Sequence, residues 1–91
     1  MPKRESLLFS PYALRGVSFR NRIVLSPMQM YLAGNEGIAT EWHFQHLTKF
    51  AVAGVGCVFT EVLPPEARGR NTHWDLGIWD DSQIPALTRI A

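Results

Sequence analysis

Between Asn21 and Glu61 the chain carries a short apolar run, a capped helical pattern and a second apolar run that follows the helix almost at once. The first run, Ile23-Val24-Leu25-Ser26, stops at Pro27, which has no N–H for a sheet ladder and holds its neighbour extended. Thr40 opens the helical pattern. Its hydroxyl suits the free amides of a first turn, and Glu41 sets a negative charge at the positive end of the helix dipole. Phe44, Leu47 and Ala51 recur at helical spacing, Phe50 and Val52 widen the stripe, and Gly54 is placed to end the helix in a left-handed conformation. Gly56-Cys57-Val58-Phe59-Thr60-Glu61 then reads as a second buried strand. Strand, helix and strand with so tight a return predict a βαβ unit with parallel strands and a right-handed crossover, and so an α/β fold.

The flanks carry weaker signals. Met1 to Ser6 reads as a frayed tail, and Leu7 to Phe19 alternates loosely about Gly16, which predicts a short hairpin or an irregular cap. Gly34-Asn35-Glu36-Gly37 marks a loop. Val62 to Asp80 has no periodicity, and a loop that long in a compact chain is functional or unstructured. The apolar knot Leu76-Gly77-Ile78-Trp79 predicts that it packs onto something. Asp81 or Ser82 is expected to cap a last helix with Pro85 in its first turn. No repeats or low-complexity tracts break residues 1–91 into more than one unit, and the pattern stops in mid-course, as a single incomplete domain would.

Composition excludes several classes of function. Of 91 residues 46% are apolar, too many for disorder, and the net charge of +1 comes from scattered Lys and Arg rather than a basic stripe, so nucleic acid is not an expected partner. The longest apolar stretch, Ala51 to Thr60, is broken by two glycines and too short to cross a bilayer, so no membrane association is expected. The polar start Met-Pro-Lys-Arg-Glu-Ser lacks the apolar segment of a secretion signal. The one cysteine, Cys57, reads as a buried structural thiol. All of this suits a reducing cytoplasm.

Chemistry-bearing residues gather after the first strand. Ser26-Pro27-Met28-Gln29-Met30-Tyr31 follows large apolar side chains with an amide, a phenol and polarisable thioethers, as a buried strand does when it opens into a ligand site. On pattern alone a strand-to-turn junction without ligand is the competing reading. His43 and His46 stand three apart on the helix, which is not the i, i+4 spacing of a zinc-protease helix, and no third ligand is suitably spaced; packing or surface histidines are expected. Glu61 at the end of an apolar strand reads as the structural partner of a cation from a neighbouring strand, and Arg70 as a hydrogen-bonding tie for the long loop. Trp42, Trp74 and Trp79 are expected to bury against the scaffold.

Phe9-Ser10-Pro11-Tyr12, Leu14 to Val17, Asn21-Arg22-Ile23-Val24, Ser26-Pro27-Met28, Gly54 to Gly56, Glu61, Gly69-Arg70 and Asp75-Leu76-Gly77-Ile78-Trp79, in that order and spacing, resemble the amino-terminal part of the Old Yellow Enzyme family. The likeness is greatest to its bacterial FMN-dependent ene reductases and xenobiotic reductases, and runs from about Leu8 to Ala91. It implies the amino-terminal part of a (β/α)8 TIM barrel: residues 7–19 the hairpin cap of its amino-terminal end, then strand 1, helix 1 and strand 2, a long loop and the start of helix 2. It implies FMN as cofactor, with NADPH or NADH as reductant and an activated alkene as substrate of the complete enzyme. By the same likeness Ser26, Pro27 and Met28 approach one face of the flavin, the Val62 N–H lies near its C4 carbonyl, and Tyr31 contacts substrate. Gln29 departs from the family, whose close members have cysteine there and more distant ones threonine near flavin N5; an amide can donate to the same edge and retune the flavin potential. The family's catalytic tyrosine and substrate-gripping histidine pair belong to later segments, so no catalytic residue is expected in this chain and neither His43 nor His46 inherits that role. The remainder of a barrel, or self-association, is the expected macromolecular partner of a piece with open sheet edges.

Overall fold

The computed structural model describes residues 6–91, so the expected tail lies outside them apart from Ser6. β1 (Tyr12–Leu14) and β2 (Val17–Phe19) form an antiparallel hairpin with Leu14 opposite Val17. Its two-residue turn places Arg15, rather than Gly16, at positive φ (54°), as hairpin turns that follow the strand twist require of their first central residue.

β3 (Val24–Leu25) and β4 (Cys57–Val58) pair in parallel, Val24 opposite Cys57 and Leu25 opposite Val58, with α1 (Glu41–Ala53) as the crossover. The βαβ unit is therefore present, but each strand is shorter than the apolar runs Ile23–Ser26 and Gly56–Glu61. The register explains the upper limit. Phe59 N–H donates to Leu25 O at 3.1 Å, and the next bond in a parallel ladder would need an N–H from Pro27.

The return from α1 into β4 is tightly made. Thr40 is the N-cap, and Gly54, at φ 102°, closes the helix with its N–H on Ala51 O at 3.2 Å. Arg20 Nη2 donates to Ala51 O at 2.9 Å and Asn21 Nδ2 to Gly54 O at 2.7 Å, so the strand-entry residues satisfy carbonyls at the helix end. Asn21 Oδ1 also accepts the Ile23 N–H at 3.0 Å. A Cβ at Gly56 would stand 2.5 Å from both Asn21 O and Asn21 Oδ1, so only glycine fits there. Val52 does not belong to the packed stripe; it is 82% exposed.

The best-buried apolar residues lie beneath the loops. Ala33, Ala39 and Leu76 are buried, with Leu63, Ala86, Leu87 and Ile90 against them. α2 (Ile84–Ile90) follows a 3-10 turn at Asp81–Gln83 whose cap is Asp80, not Asp81 or Ser82: the Asp80 carboxylate accepts the Ser82 N–H at 2.9 Å. The sheet face turned from α1 is open. Val24 and Phe59 are exposed there and, with Tyr12, Leu14 and Phe19 of the hairpin, line a cleft of about 420 Å³. Cys57 opens onto the same cleft and is half-buried rather than buried, because nothing among the described residues covers this face. No helix among the described residues is long and apolar enough to cross a membrane.

Candidate functional site

At the carboxyl edge of the β3–β4 pair the chain leaves both strands into loops, and the loops are stitched together. Ala33 N–H donates to Trp74 O and Gly77 N–H to Gly37 O, both at 3.0 Å. Gln83, only 1% exposed, accepts from the Trp79 and Asp80 N–H groups at 2.8 and 3.1 Å and donates to Glu36 O at 2.9 Å. Trp79 lies over Gly37 and Gly77, where an added Cβ would stand 2.7 and 2.1 Å from its ring. Arg70 donates to Ala67 O and Asn35 O at 2.8 and 2.9 Å and places its guanidinium over the Trp79 ring, 5.3 Å from its centroid.

Asp75 organises the second loop. It is fully buried and accepts from Asn71 N–H and Thr72 Oγ1, each at 2.7 Å. Burial pushes its pKa up, but the hydrogen bonds from Thr72 and Asn71, with the Gln29 amide close by, outweigh it and hold the carboxyl below its ordinary value. The Gln29 amide stands beside Asp75 without reaching full hydrogen-bond geometry, and both its Oε1 and Nε2 are buried without a partner.

A second buried carboxylate sits where the first loop begins. Glu61 Oε2 accepts the Met30 N–H at 3.0 Å, and Oε1 faces His43 Nε2 at 3.1 Å. His43 Nδ1 in turn accepts the Thr40 N–H at 3.0 Å and meets Thr40 Oγ1 at 2.8 Å. With Nδ1 accepting a backbone N–H, the network assigns the proton of the neutral ring to Nε2, toward Glu61. Burial lowers the His43 pKa despite the attraction of Glu61. The partner of Glu61 is thus a histidine on the crossover helix and not a cation on a neighbouring strand. Sequence reading passed over this pair because its members stand far apart in the chain; the Thr-x-x-His spacing at the helix start was its one local signal.

The expected site residues fall along this edge. Ser26, Pro27 and Met28 are exposed and directly extend β3, Gln29 and Met30 are half-buried, and Tyr31 is exposed at positive φ (59°), a costly conformation for a tyrosine. Val62 follows Glu61 at the same edge with its side chain exposed, and its N–H has no hydrogen-bond partner among the described residues. The shared contact of Met30 with Glu61 brings the two strand exits together. His46, stacked on Trp42 at 4.5 Å, lines a small pocket with Ser26, Met28, Met30, His43 and Glu61, and no cluster of three metal-ligating side chains occurs among the described residues. Trp42 and Trp74 are exposed, so of the three tryptophans only Trp79 is largely packed.

An edge of this kind suits a flat heteroaromatic ring with donors and acceptors along one side. The exposed Ser26–Met28 peptide and the Val62 N–H, for which the described residues offer no partner, supply polar groups, and the exposed Met28 thioether a soft apolar contact, whereas the Gln29 amide is buried beside Asp75. The residues present therefore fit a flavin.

Comparison with known proteins converges on the same chemistry. The model of the NADH:flavin oxidoreductase / NADH oxidase family matches residues 7–91. NADPH dehydrogenase of Listeria monocytogenes serotype 4a (strain HCC23) is 48% identical over 86 residues, covering 93% of this chain and 25% of that protein. Among solved structures, the Old Yellow Enzyme homologue from Zymomonas mobilis aligns with TM-score 0.83 and 25% identity over 93% of this chain and 23% of its own. Old Yellow Enzyme from Pichia sp. AKU4542 aligns with TM-score 0.86 and 21% identity over 94% and 22%. The chain thus spans about a quarter of the length of the curated relatives it matches, and its fold is the amino-terminal part of a (β/α)8 barrel.

Proposed function

Because the chain belongs to the NADH:flavin oxidoreductase / NADH oxidase family, whose cofactor is FMN with NADPH or NADH as reductant, we propose that its strand-end edge forms one wall of an FMN site in an ene reductase. The observation that carries the reading is the exposed Ser26–Met28 peptide at the same carboxyl edge as the Val62 N–H, which has no hydrogen-bond partner among the described residues. Bound FMN supplies the two-electron carrier between NADPH or NADH and an activated alkene. The backbone of Ser26, Pro27 and Met28 lies against one face of the ring and the Met28 thioether packs on it. Val62 N–H donates toward the C4 carbonyl. Gln29, whose amide is buried beside Asp75, donates to the same edge only on turning from Asp75 toward the ring, which then favours the electron-rich reduced form. Tyr31 reaches the substrate. None of these residues transfers a proton, so the catalytic groups belong to other parts of the barrel. The small-molecule alkene is the proposed substrate, and nucleic acid and membrane are not proposed partners. The proposed setting is the cytoplasm, in keeping with a single thiol.

Residues 1–91 form, in this reading, one incomplete domain that has no ene reductase activity by itself. The open face of Val24 and Phe59 supports either the remainder of a barrel or a second copy as its cover. A chimera tests the assignment: residues 7–91 replace the matching quarter of the Listeria NADPH dehydrogenase. The folded chimera is expected to purify yellow, with FMN near one per chain, and to oxidise NADPH in the presence of an activated alkene. A folded chimera without flavin overturns the proposal.

A further inference from the structure

The buried pair His43 and Glu61 performs no step in the reading above, yet it touches the peptide on which that reading depends. We propose that His43 and Glu61 are positioning residues: they form a proton-linked bracket that holds the Ser26–Tyr31 peptide in place through the Met30 N–H.

The geometry supplies each link. The side chains of His43 and Glu61 are 2% and 4% exposed, so water does not compete for their contacts. Both Glu61 oxygens face donors, Met30 N–H at 3.0 Å and His43 Nε2 at 3.1 Å. His43 is itself fixed by Thr40 N–H at 3.0 Å, so the start of α1, the end of β4 and the loop after β3 share one chain of buried polar contacts, hydrogen-bonded at Thr40 and Met30 and closed by the 3.1 Å approach of His43 Nε2 to Glu61 Oε1, which lies outside hydrogen-bond alignment. Met30 lies between Met28, proposed to pack on the flavin, and Tyr31, held at positive φ. A peptide tied at that point cannot slide along the edge without stranding a buried carboxylate oxygen, which is costly.

The proton enters through the histidine. Only a neutral imidazole accepts the Thr40 N–H at Nδ1; a second proton turns that nitrogen into a donor and moves it from the amide to Thr40 Oγ1, 2.8 Å away. The titratable groups whose charge reaches His43 are Glu61 from the end of β4 and His46 on α1, and Lys49 acts on His46. Met30 brings an uncharged amide from the loop. Protonation at His43 is thus felt at Met30 through Glu61.

The inference rests on the flavin reading for its purpose, but its test needs no flavin. Proton and nitrogen NMR of the 91-residue chain follows the Thr40 and Met30 amides and the His43 ring from pH 8 to about pH 4, the window around the histidine range. In the wild type all three are expected to move with one midpoint below the ordinary histidine value. In Glu61→Gln, whose single side-chain oxygen can accept from only one of the two donors, Met30 is expected to lose that response while Thr40, which depends on His43 alone, keeps it. A Met30 amide that stays still through the His43 titration in the wild type overturns the bracket, whether or not the variant folds. So does a folded Glu61→Gln in which Met30 titrates as before. Failure of the chimera to hold FMN would leave these outcomes untouched, so the two proposals fall separately.

Discussion

Gly56 shows how narrowly a single residue governs the crossover. A methyl group there would press on Asn21 O and Oδ1 at 2.5 Å, and Asn21 is the residue that ties the entry of β3 to the end of α1. Gly56→Ala is expected to lower stability by about 1–3 kcal/mol, read as a drop in urea midpoint at unchanged slope. Titration at two other residues sets the pH dependence. The folded pKa of His43 lies below its ordinary 6.5, so the unfolded chain binds more protons first; stability is full above that value and falls as pH drops below it. Asp75, held below its ordinary 3.8, adds a second loss as pH falls further, through its folded pKa. Thermal unfolding from pH 8 to about pH 3 is expected to show a first decline that His43→Gln removes and a later one that remains. A flat profile between pH 7 and about pH 5 would contradict the assignment of a neutral buried His43.

At the scale of elements, the long segment after β4 proves to be ordered by polar ties rather than by regular structure. Gln83 alone joins Trp79, Asp80 and Glu36, and so fastens the start of α2 to both loops. Gln83→Leu keeps the volume and removes all three bonds. A loss of about 2–3 kcal/mol is expected, with faster proteolysis within residues 62–80 as the direct sign that the loop has come free. Leu76 could be placed in the core from its apolar setting, and Thr40 and Gly54 could be placed at the helix ends from their chemistry. Gln83 could not, since an amide ahead of a proline-initiated helix looks like any solvated residue. Strand lengths were overread for a related reason. An apolar run records which residues leave water, whereas a ladder ends where a hydrogen-bonding group is missing, and here that group is the N–H of Pro27.

As a whole the molecule is elongated. Its radius of gyration is 16.1 Å, against about 12 Å for a compact domain of this length. Leu14, Val24, Phe59 and Ile78 stay exposed because none of the described residues covers them as neighbours do in a barrel. The chain is therefore expected to associate as its concentration rises, giving by light scattering a mass several times that of one copy. Adding a soluble barrel partner, or substituting Val24 and Phe59 by threonine, is expected to suppress that growth. A strictly monomeric chain at high concentration would show that the apolar face is covered in some other way.

From its sequence alone this chain determined its α/β class, its hairpin, the limits of its crossover helix and its resemblance to a flavin-dependent family, because caps, turns and helical spacing act over a few residues. The three-dimensional fold alone decided that the partner of Glu61 is His43, that the Gln29 amide stands beside Asp75, and that Cys57 opens onto a cleft. The two pairings join residues 18 and 46 positions apart, and no local rule of spacing or propensity carries information over such a distance; it arises only when loop closure brings the strand exits to one edge.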